Sequence, residues 1–183
     1  MTDQAQTIED LYADYEPPKG SGNFFGLKDG EAKRVRIQSE PYVYQDNYKQ
    51  PDGSSKLSTR YIWKIWNHDE KLAQIMKQSG TFYSSIAALV KNPDYGSPVE
   101  YDIHITRMGT GTDTTYTVNG ARKNIDLTAE DLEKVAALDV LADAKESVIM
   151  TLRDFIAAGK QFVGKDGKPM AHDLDADAPV KDL

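Results

Sequence analysis

The pattern of apolar and polar positions is clearest from Pro98 to Val118, where it predicts a β-hairpin. In its first half the two kinds of residue alternate with the period of two that is typical of a half-buried strand: Val99, Tyr101, Ile103 and Ile105 against Glu100, Asp102, His104 and Thr106. Residues 108–113 supply two glycines in a short polar loop, and residues 114–118 are a second run rich in β-branched residues. We expect the polar set of the first strand to face solvent.

Earlier stretches predict further strands. Lys33 to Gln38 alternates apolar and basic residues, and Tyr42 to Tyr44 resumes the extended pattern, so we expect one long strand bent near Glu40-Pro41. Thr59 to Trp66 predicts a strand with apolar residues on both faces. The residues between them, Gln45 to Ser58, are polar and are predicted to form a long loop.

Elsewhere the period is about 3.6, which predicts four helices. Their expected bounds are Glu70 to Gln78, Tyr83 to Lys91, Thr128 to Leu141 and Asp143 to Ala158. Thr128 is placed to be the N-cap of the third, with Asp131 at the capping-box position, and Gly159 is placed to end the fourth. Residues 92–96 contain Pro and Gly and are predicted to form a turn before the hairpin.

The order of these elements predicts a mainly β fold with flanking helices. Strands, a helix, a closing hairpin and then helices follow one another as in the five-stranded barrel of the oligonucleotide-binding (OB) fold. An α+β sheet with segregated helices is the alternative. We expect residues 1–22 to form a flexible acidic arm, residues 23–163 to form the OB domain with helices within 128–158, and residues 164–183 to be a disordered acidic tail.

Charge is distributed unevenly along the 183 residues. The net charge is −7, yet residues 24–125 carry 14 positive and 11 negative charges, a net of +3 between two acidic ends. With no cysteine, disulfides and thiolate metal sites are excluded, and three histidines make a zinc site an unattractive hypothesis. No apolar run reaches the roughly 18 residues of a membrane span, and the polar start does not resemble a signal peptide, so we expect a cytoplasmic protein with no membrane partner.

Motifs for catalysis are absent from the sequence. Nucleotide-binding glycine loops, the nucleophile elbow and the paired-histidine zinc motif do not occur. Glu100, Asp102 and His104 alternate along the first strand of the hairpin, and as a trio they are the one candidate for a divalent cation, as in a metal-dependent nuclease. A solvated strand face explains the same residues, and we favour that interpretation.

Aromatic and basic residues are interleaved in the first third of the chain. The rings are Tyr42, Tyr44, Tyr48, Tyr61, Trp63 and Trp66, and the cations are Arg34, Arg36, Lys49, Lys56, Arg60 and Lys64. Flat rings on which bases stack, with cations placed for phosphates, are what binding of a single strand without sequence preference requires. Trp63 and Trp66 must point to opposite faces of a strand; we expect Trp66 to be exposed and Trp63 to lie in the core.

Three stretches resemble the phage-type replicative single-stranded-DNA-binding proteins that have an OB fold. They are FFGLKDGEAKRVRIQ at residues 24–38, TRYIWKIW at 59–66, and NPDYGSPVEYDIHITRMGTGTDTTYTV at 92–118. The resemblance implies sequence-independent binding of single-stranded DNA (ssDNA) in replication, recombination or repair. It also implies an acidic C-terminal tail that contacts replication or recombination proteins, although this tail ends in Leu183 rather than in an aromatic residue.

The sequence therefore predicts a non-enzymatic ssDNA-binding protein that needs no metal or cofactor. The predicted DNA-binding residues are Arg34, Arg36, Tyr44, Tyr48, Lys49, Lys56, Arg60, Lys64, Trp66, Arg107, Arg122 and Lys123. The resemblance implies Arg34, Arg36, Arg60, Lys64, Trp66 and Arg107, and the others follow from the interleaved pattern and from the basic pair after the hairpin. A protein-interaction scaffold is the alternative hypothesis, and a metal-dependent nuclease is a further one.

Overall fold

The computed structural model describes residues 23–141, 148–164 and 167–169, which form a mainly β fold with short helices. Its strands are β1 (Ala32–Ile37), β2 (Tyr42–Lys49), β3 (Ser55–Asn67), β4 (Leu72–Ser79), β5 (Asp102–Met108), β6 (Thr115–Gly120) and β7 (Met150–Thr151). Its helices are α1 (Gly80–Lys91), α2 (Ala129–Ala136) and α3 (Leu152–Ala157). The mainly β prediction is confirmed, whereas the predicted N-terminal arm, residues 1–22, lies outside the described residues.

One antiparallel sheet is built around β3, the longest strand. β1 and β2 follow one another along one side of β3, through the pairs Ile37–Ile65 and Tyr42–Ile62, and β4 pairs with the other side. β5 pairs with β1, β6 with β5, and β7 with β2. Between these two pairs the chain advances five residues from Ile37 to Tyr42, whereas β3 advances only three, from Ile65 to Ile62. The two extra residues interrupt the pairing, so the single strand predicted to bend near Glu40-Pro41 is two separate strands, β1 and β2. The described strands form an open sheet, and among them no pairing closes a barrel.

The core lies on the sheet face that carries the odd-numbered residues of β3. Tyr61, Trp63 and Ile65 are at most 2% exposed and pack with residues of α1, so the core position predicted for Trp63 is confirmed. The aromatic rings of Tyr61 and Tyr83 stack on each other in this core, with their centroids 4.4 Å apart. The β5–β6 hairpin contributes Ile103 and Ile105 to the same core, as its alternation predicts.

Two segments between these strands differ from the sequence prediction. The stretch predicted as a helix at 70–78 forms β4, which pairs with β3 over eight positions from Leu72 to Ser79. The predicted loop 45–58 is instead a hairpin, because β2 continues to Lys49, the chain turns at 50–54, and β3 begins at Ser55. In both places backbone pairing along β3 outweighs the local pattern of side chains.

The helices are shorter than their patterns predict, apart from α1, which starts three residues earlier. α2 ends at Ala136 rather than Leu141, and the last predicted helix is present only as α3. Before α3 the chain is extended, because Met150–Thr151 pairs with β2; residues 142–147 lie outside the described part. None of the helices in the described part of the chain has the length and apolar character to span a bilayer.

The predicted tail, residues 164–183, falls mostly outside the described residues. The part that is described belongs to the domain, since Val163 bridges Pro169 and the Gly164 N–H donates to the Lys168 carbonyl. Gly159, at φ +65°, follows α3 and ends it as predicted.

The N-terminal end of the described chain adds a short parallel bridge to β4. Phe24 pairs with Ile75, and the Phe25 N–H donates to the Ile75 carbonyl at 2.9 Å. This contact lies on the side of β4 that faces away from β3. The outer edge of β4 is therefore partly occupied.

Thr128 caps α2 as predicted, and this cap gives a first testable prediction. Its hydroxyl accepts from the Asp131 N–H at 3.1 Å, while the Asp131 carboxylate accepts from the Thr128 N–H at 3.0 Å. We expect Thr128→Ala to lower the free energy of unfolding by about 1 kcal/mol, measured by urea denaturation. Thr128→Ser keeps the hydroxyl and is the control; equal stability of the Ala and Ser variants would show that the cap contributes nothing.

Candidate nucleic-acid interface

Strand register places most of the basic residues of the sheet on the face opposite the core. Residues directly across an antiparallel ladder share a face, so Ile62 lies on the same side as Tyr42 of β2 and Lys77 of β4. The cations on this side are Arg34, Arg36, Lys56, Arg60, Lys64 and Lys77, and Tyr42, Tyr44 and Trp66 lie among them. We call it the basic face.

One end of the basic face is the β2–β3 hairpin. Tyr44 lies directly across from Arg60, and both side chains are half-buried. Burial raises the pKa of the Tyr44 hydroxyl, Asp46 adds to the effect and Arg60 opposes it. Tyr48 pairs with Lys56 in the backbone register, and its side chain lies outside the described part. This end thus has a ring beside a cation, the combination that a stacked base and its phosphate require.

Of the two predicted lysines at this end, only one lies on the basic face. Lys56, in register with Tyr48, is half-buried on that face, whereas Lys49 is exposed at the tip of β2 but lies across from Ser55, on the opposite face of the hairpin. The stem of Lys56 lies close to Gly167, whose added Cβ would be 3.5 Å from the Lys56 Cβ. Among the described contacts neither ammonium group is engaged in an ion pair.

The middle of the basic face is covered rather than open. Ile62 packs with Ile75 and Val140 in a second apolar cluster, which Tyr42 and Tyr44 border. The Lys64 Nζ donates to the Ala136 carbonyl at 3.2 Å, at the end of α2. Trp66 is on the basic face but only 5% exposed, so the prediction that it is the exposed tryptophan is wrong. Its indole offers no free surface on which a base can stack.

A buried carboxylate organises the other end of the face. Asp102 has no exposed side-chain surface, and it pairs with both predicted phosphate-binding arginines of β1: Arg34 lies 2.7 Å away and Arg36 lies 2.6 Å away. The His68 Nε2 is 3.0 Å from the same carboxylate. Arg34 and Arg36 are thus partly neutralised, and their contact with a phosphate would compete with Asp102.

Burial alone would raise the pKa of Asp102, but its partners outweigh burial. The Ile125 N–H donates to the carboxylate at 2.8 Å, and Arg36 and His68 also favour the charged form. The pKa of Asp102 therefore lies below its ordinary value of 3.8. The carboxylate stays ionised in the folded protein at neutral pH.

The same cluster fixes the segment that follows β6. Arg34 donates to the Lys123 carbonyl, Arg36 donates to the Ile125 carbonyl at 3.0 Å, and the Asn124 side chain accepts from the Asp102 N–H at 2.9 Å. Arg122 and Lys123 are exposed. The predicted basic pair is thereby brought beside the β1 end of the basic face.

Arg107 is separated from the other predicted residues. It lies across from Tyr116, on the side of the sheet opposite the basic face. Its guanidinium donates to the Leu27 carbonyl at 2.6 Å and to Thr114 at 3.4 Å. Through these contacts Arg107 stabilises the base of the β5–β6 loop.

The trio considered for a metal does not come together. Asp102 is paired with arginines, whereas His104 and Glu100 are exposed, so the expected solvated face is wrong at Asp102. Within the described ranges, no three acidic or histidine side chains are grouped as a metal site requires. The nuclease hypothesis therefore loses the residues on which it was based.

Sequence reasoning missed Lys77. The helical spacing of its stretch gives no indication that Lys77 lies across from Ile62 on the basic face. The signal that would have found it is the adjacent apolar pair Ile75 and Met76, since neighbouring apolar positions are typical of a strand that is buried on both faces. Its ammonium lies 4.6 Å from the centroid of the Phe24 ring.

Comparison of the chain with protein-family models, with curated proteins and with solved structures found no match.

Proposed function

We propose that this protein binds single-stranded DNA without sequence preference, along the basic face. The observation that carries the proposal is the register: cations from three strands, β1, β3 and β4, and two half-buried tyrosines of β2 share the side of the sheet that is opposite the core. Rings and cations in this arrangement suit a polyanion whose bases are unpaired. From Lys56 to Trp66, β3 alone spans about 33 Å at about 3.3 Å per residue, long enough for several nucleotides.

An OB fold is part of the proposal. What supports it is the order of elements, with β1 and β2 in line beside β3, β4 on the far side, a helix after β4 and then the β5–β6 hairpin. In OB folds the face of the second and third strands and the loops at their ends bind oligonucleotides. The corresponding parts here are β3, β4 and the turn at 50–54, which border the basic face.

The proposal extends to the setting implied by the sequence resemblance. We extend the proposal to a role in DNA replication, recombination or repair, in which the acidic stretch 172–183, with four aspartates and one lysine, binds a partner protein of that machinery. That stretch lies outside the described residues. The scaffold alternative differs in one respect, since it requires the partner but not the DNA.

A titration with labelled oligo-dT tests the proposal. Both tryptophans are at most 5% exposed, so fluorescence anisotropy of the labelled strand is a better reporter than tryptophan quenching. If four phosphates are neutralised, we expect the affinity to fall about 50-fold between about 50 and 200 mM salt. Duplex of the same length should bind much more weakly. Absence of binding at low salt, or binding that salt does not weaken, would refute the proposal.

A further inference from the structure

A short acidic segment lies across the middle of the basic face. We define it as the acidic cover, residues 129–141, which comprises α2 and the turn after it. Val140 packs on Ile62 and Ile75, and Lys64 donates to the carbonyl that ends α2. Along β3 the cover therefore sits between Arg60, at the hairpin end, and Trp66, which pairs with Arg36.

The charge of the cover has the same sign as a phosphate backbone. It contains four acids and one lysine, a net of −3. Glu130 pairs with Lys134 inside α2 at 2.7 Å, and among the described residues none of the four acids forms an ion pair with a cation of the basic face. A DNA strand lying beside the docked cover would thus meet uncompensated negative charge.

Few side chains hold the cover in place. Val135 and Val140 are its buried residues, at 2% and 4% exposed, while Leu132 and Leu141 remain exposed. α2 has eight residues, and helices shorter than about 12 residues are not stable on their own in water. The helix is therefore stabilised by docking, and release of Val135 and Val140 would also unfold it.

We infer that the acidic cover competes with DNA for the basic face and is displaced when a strand occupies the full length of that face. The inference rests on the proposed function and adds its regulation. Displacement would expose Ile62 and free Lys64, and it would join the cations of the hairpin to Lys123 in one uninterrupted track. The intact chain would then bind DNA more weakly than a chain whose cover is loosened.

Two kinds of variant test the competition. Glu130→Gln with Glu133→Gln removes charge at exposed positions, and Val140→Ala weakens docking. We expect each to tighten binding of oligo-dT by about three- to tenfold at low salt, with the gain of the Gln pair disappearing at high salt. Asp94→Asn with Glu100→Gln, two exposed acids on the loop before β5, is the matched control and should change affinity little.

Hydrogen exchange of the full chain, with and without oligo-dT, reports displacement directly. Amides of residues 129–136 should exchange faster in the complex, while those of β3 should not. A bound complex in which these amides exchange as slowly as before would overturn the inference, as would Gln variants that bind no more tightly than the control. If neither the intact chain nor any variant binds DNA, the proposed function itself fails. The exposed Gln pair keeps the test valid even if Val140→Ala does not fold.

Discussion

Replacing Asp102 by alanine is expected to lower the free energy of unfolding by about 3–5 kcal/mol, a large part of the stability of a small domain. The carboxylate is fully buried and is the shared partner of Arg34 and Arg36. Without it, two guanidinium groups that are only 20% and 11% exposed would repel each other with no anion between them. Urea denaturation measures the loss.

The pH dependence of stability gives the same prediction a second readout. The pKa of Asp102 is lower in the folded state than its ordinary value of 3.8. Its contribution to the free energy of unfolding is therefore complete at pH values above 3.8, and it disappears as the pH falls through the pKa of the folded state. Acid should therefore destabilise the parent protein more than the Asp102→Ala variant. Asp113→Asn, at an exposed loop acid, is the control and should change stability by less than about 0.5 kcal/mol. A stable Asp102→Ala variant with the parent's acid sensitivity would contradict the prediction.

Reversing two charges at the hairpin end is expected to have the largest effect on DNA binding. Lys56→Glu with Arg60→Glu places two negative charges beside the Tyr44 ring, where the proposal puts phosphates. We expect affinity for oligo-dT at low salt to fall by roughly 100-fold. The slope of log affinity against log salt should become less steep by about 1.4, or 0.7 for each lost phosphate contact. Neither residue belongs to the cluster under the acidic cover, so the cover should stay docked.

The matched control changes the same charges on another surface. Lys28→Glu with Lys91→Glu alters exposed lysines in the turn before β1 and at the end of α1. This pair should change affinity only slightly, through net charge. Equal losses in the two double variants would mean that overall charge, rather than the basic face, determines binding.

The sequence predicted most strands correctly but failed where a strand is buried on both faces. β4 has Gln74, Ile75 and Met76 buried in succession, because the core lies on one side and Val140 packs on the other. Such a strand loses the period of two, and its apolar residues can match a helical spacing by chance. β3 has the same double burial, yet its aromatic and β-branched residues still indicated a strand.

The candidate site was predictable in its residue types but not in its pairing. Alternation placed Arg34 and Arg36 on one face of a strand, which the structure confirms. Their partner Asp102 is 66 to 68 residues away in sequence, so no local pattern could show that it neutralises them. The burial of Trp66 has the same origin, because its exposure depends on what covers the face and not on the strand that carries it.

The short bridge between Phe24 and Ile75 bears on the solubility of the protein. A bare edge strand offers unpaired N–H and carbonyl groups to other chains and promotes aggregation. Phe25 takes up the Ile75 carbonyl at the outer edge of β4, so this part of the edge is already paired within the chain. Residues 23–25 thus hinder strand pairing between molecules at this edge. Deleting residues 1–25 would expose the edge of β4 at Ile75 and is expected to promote aggregation.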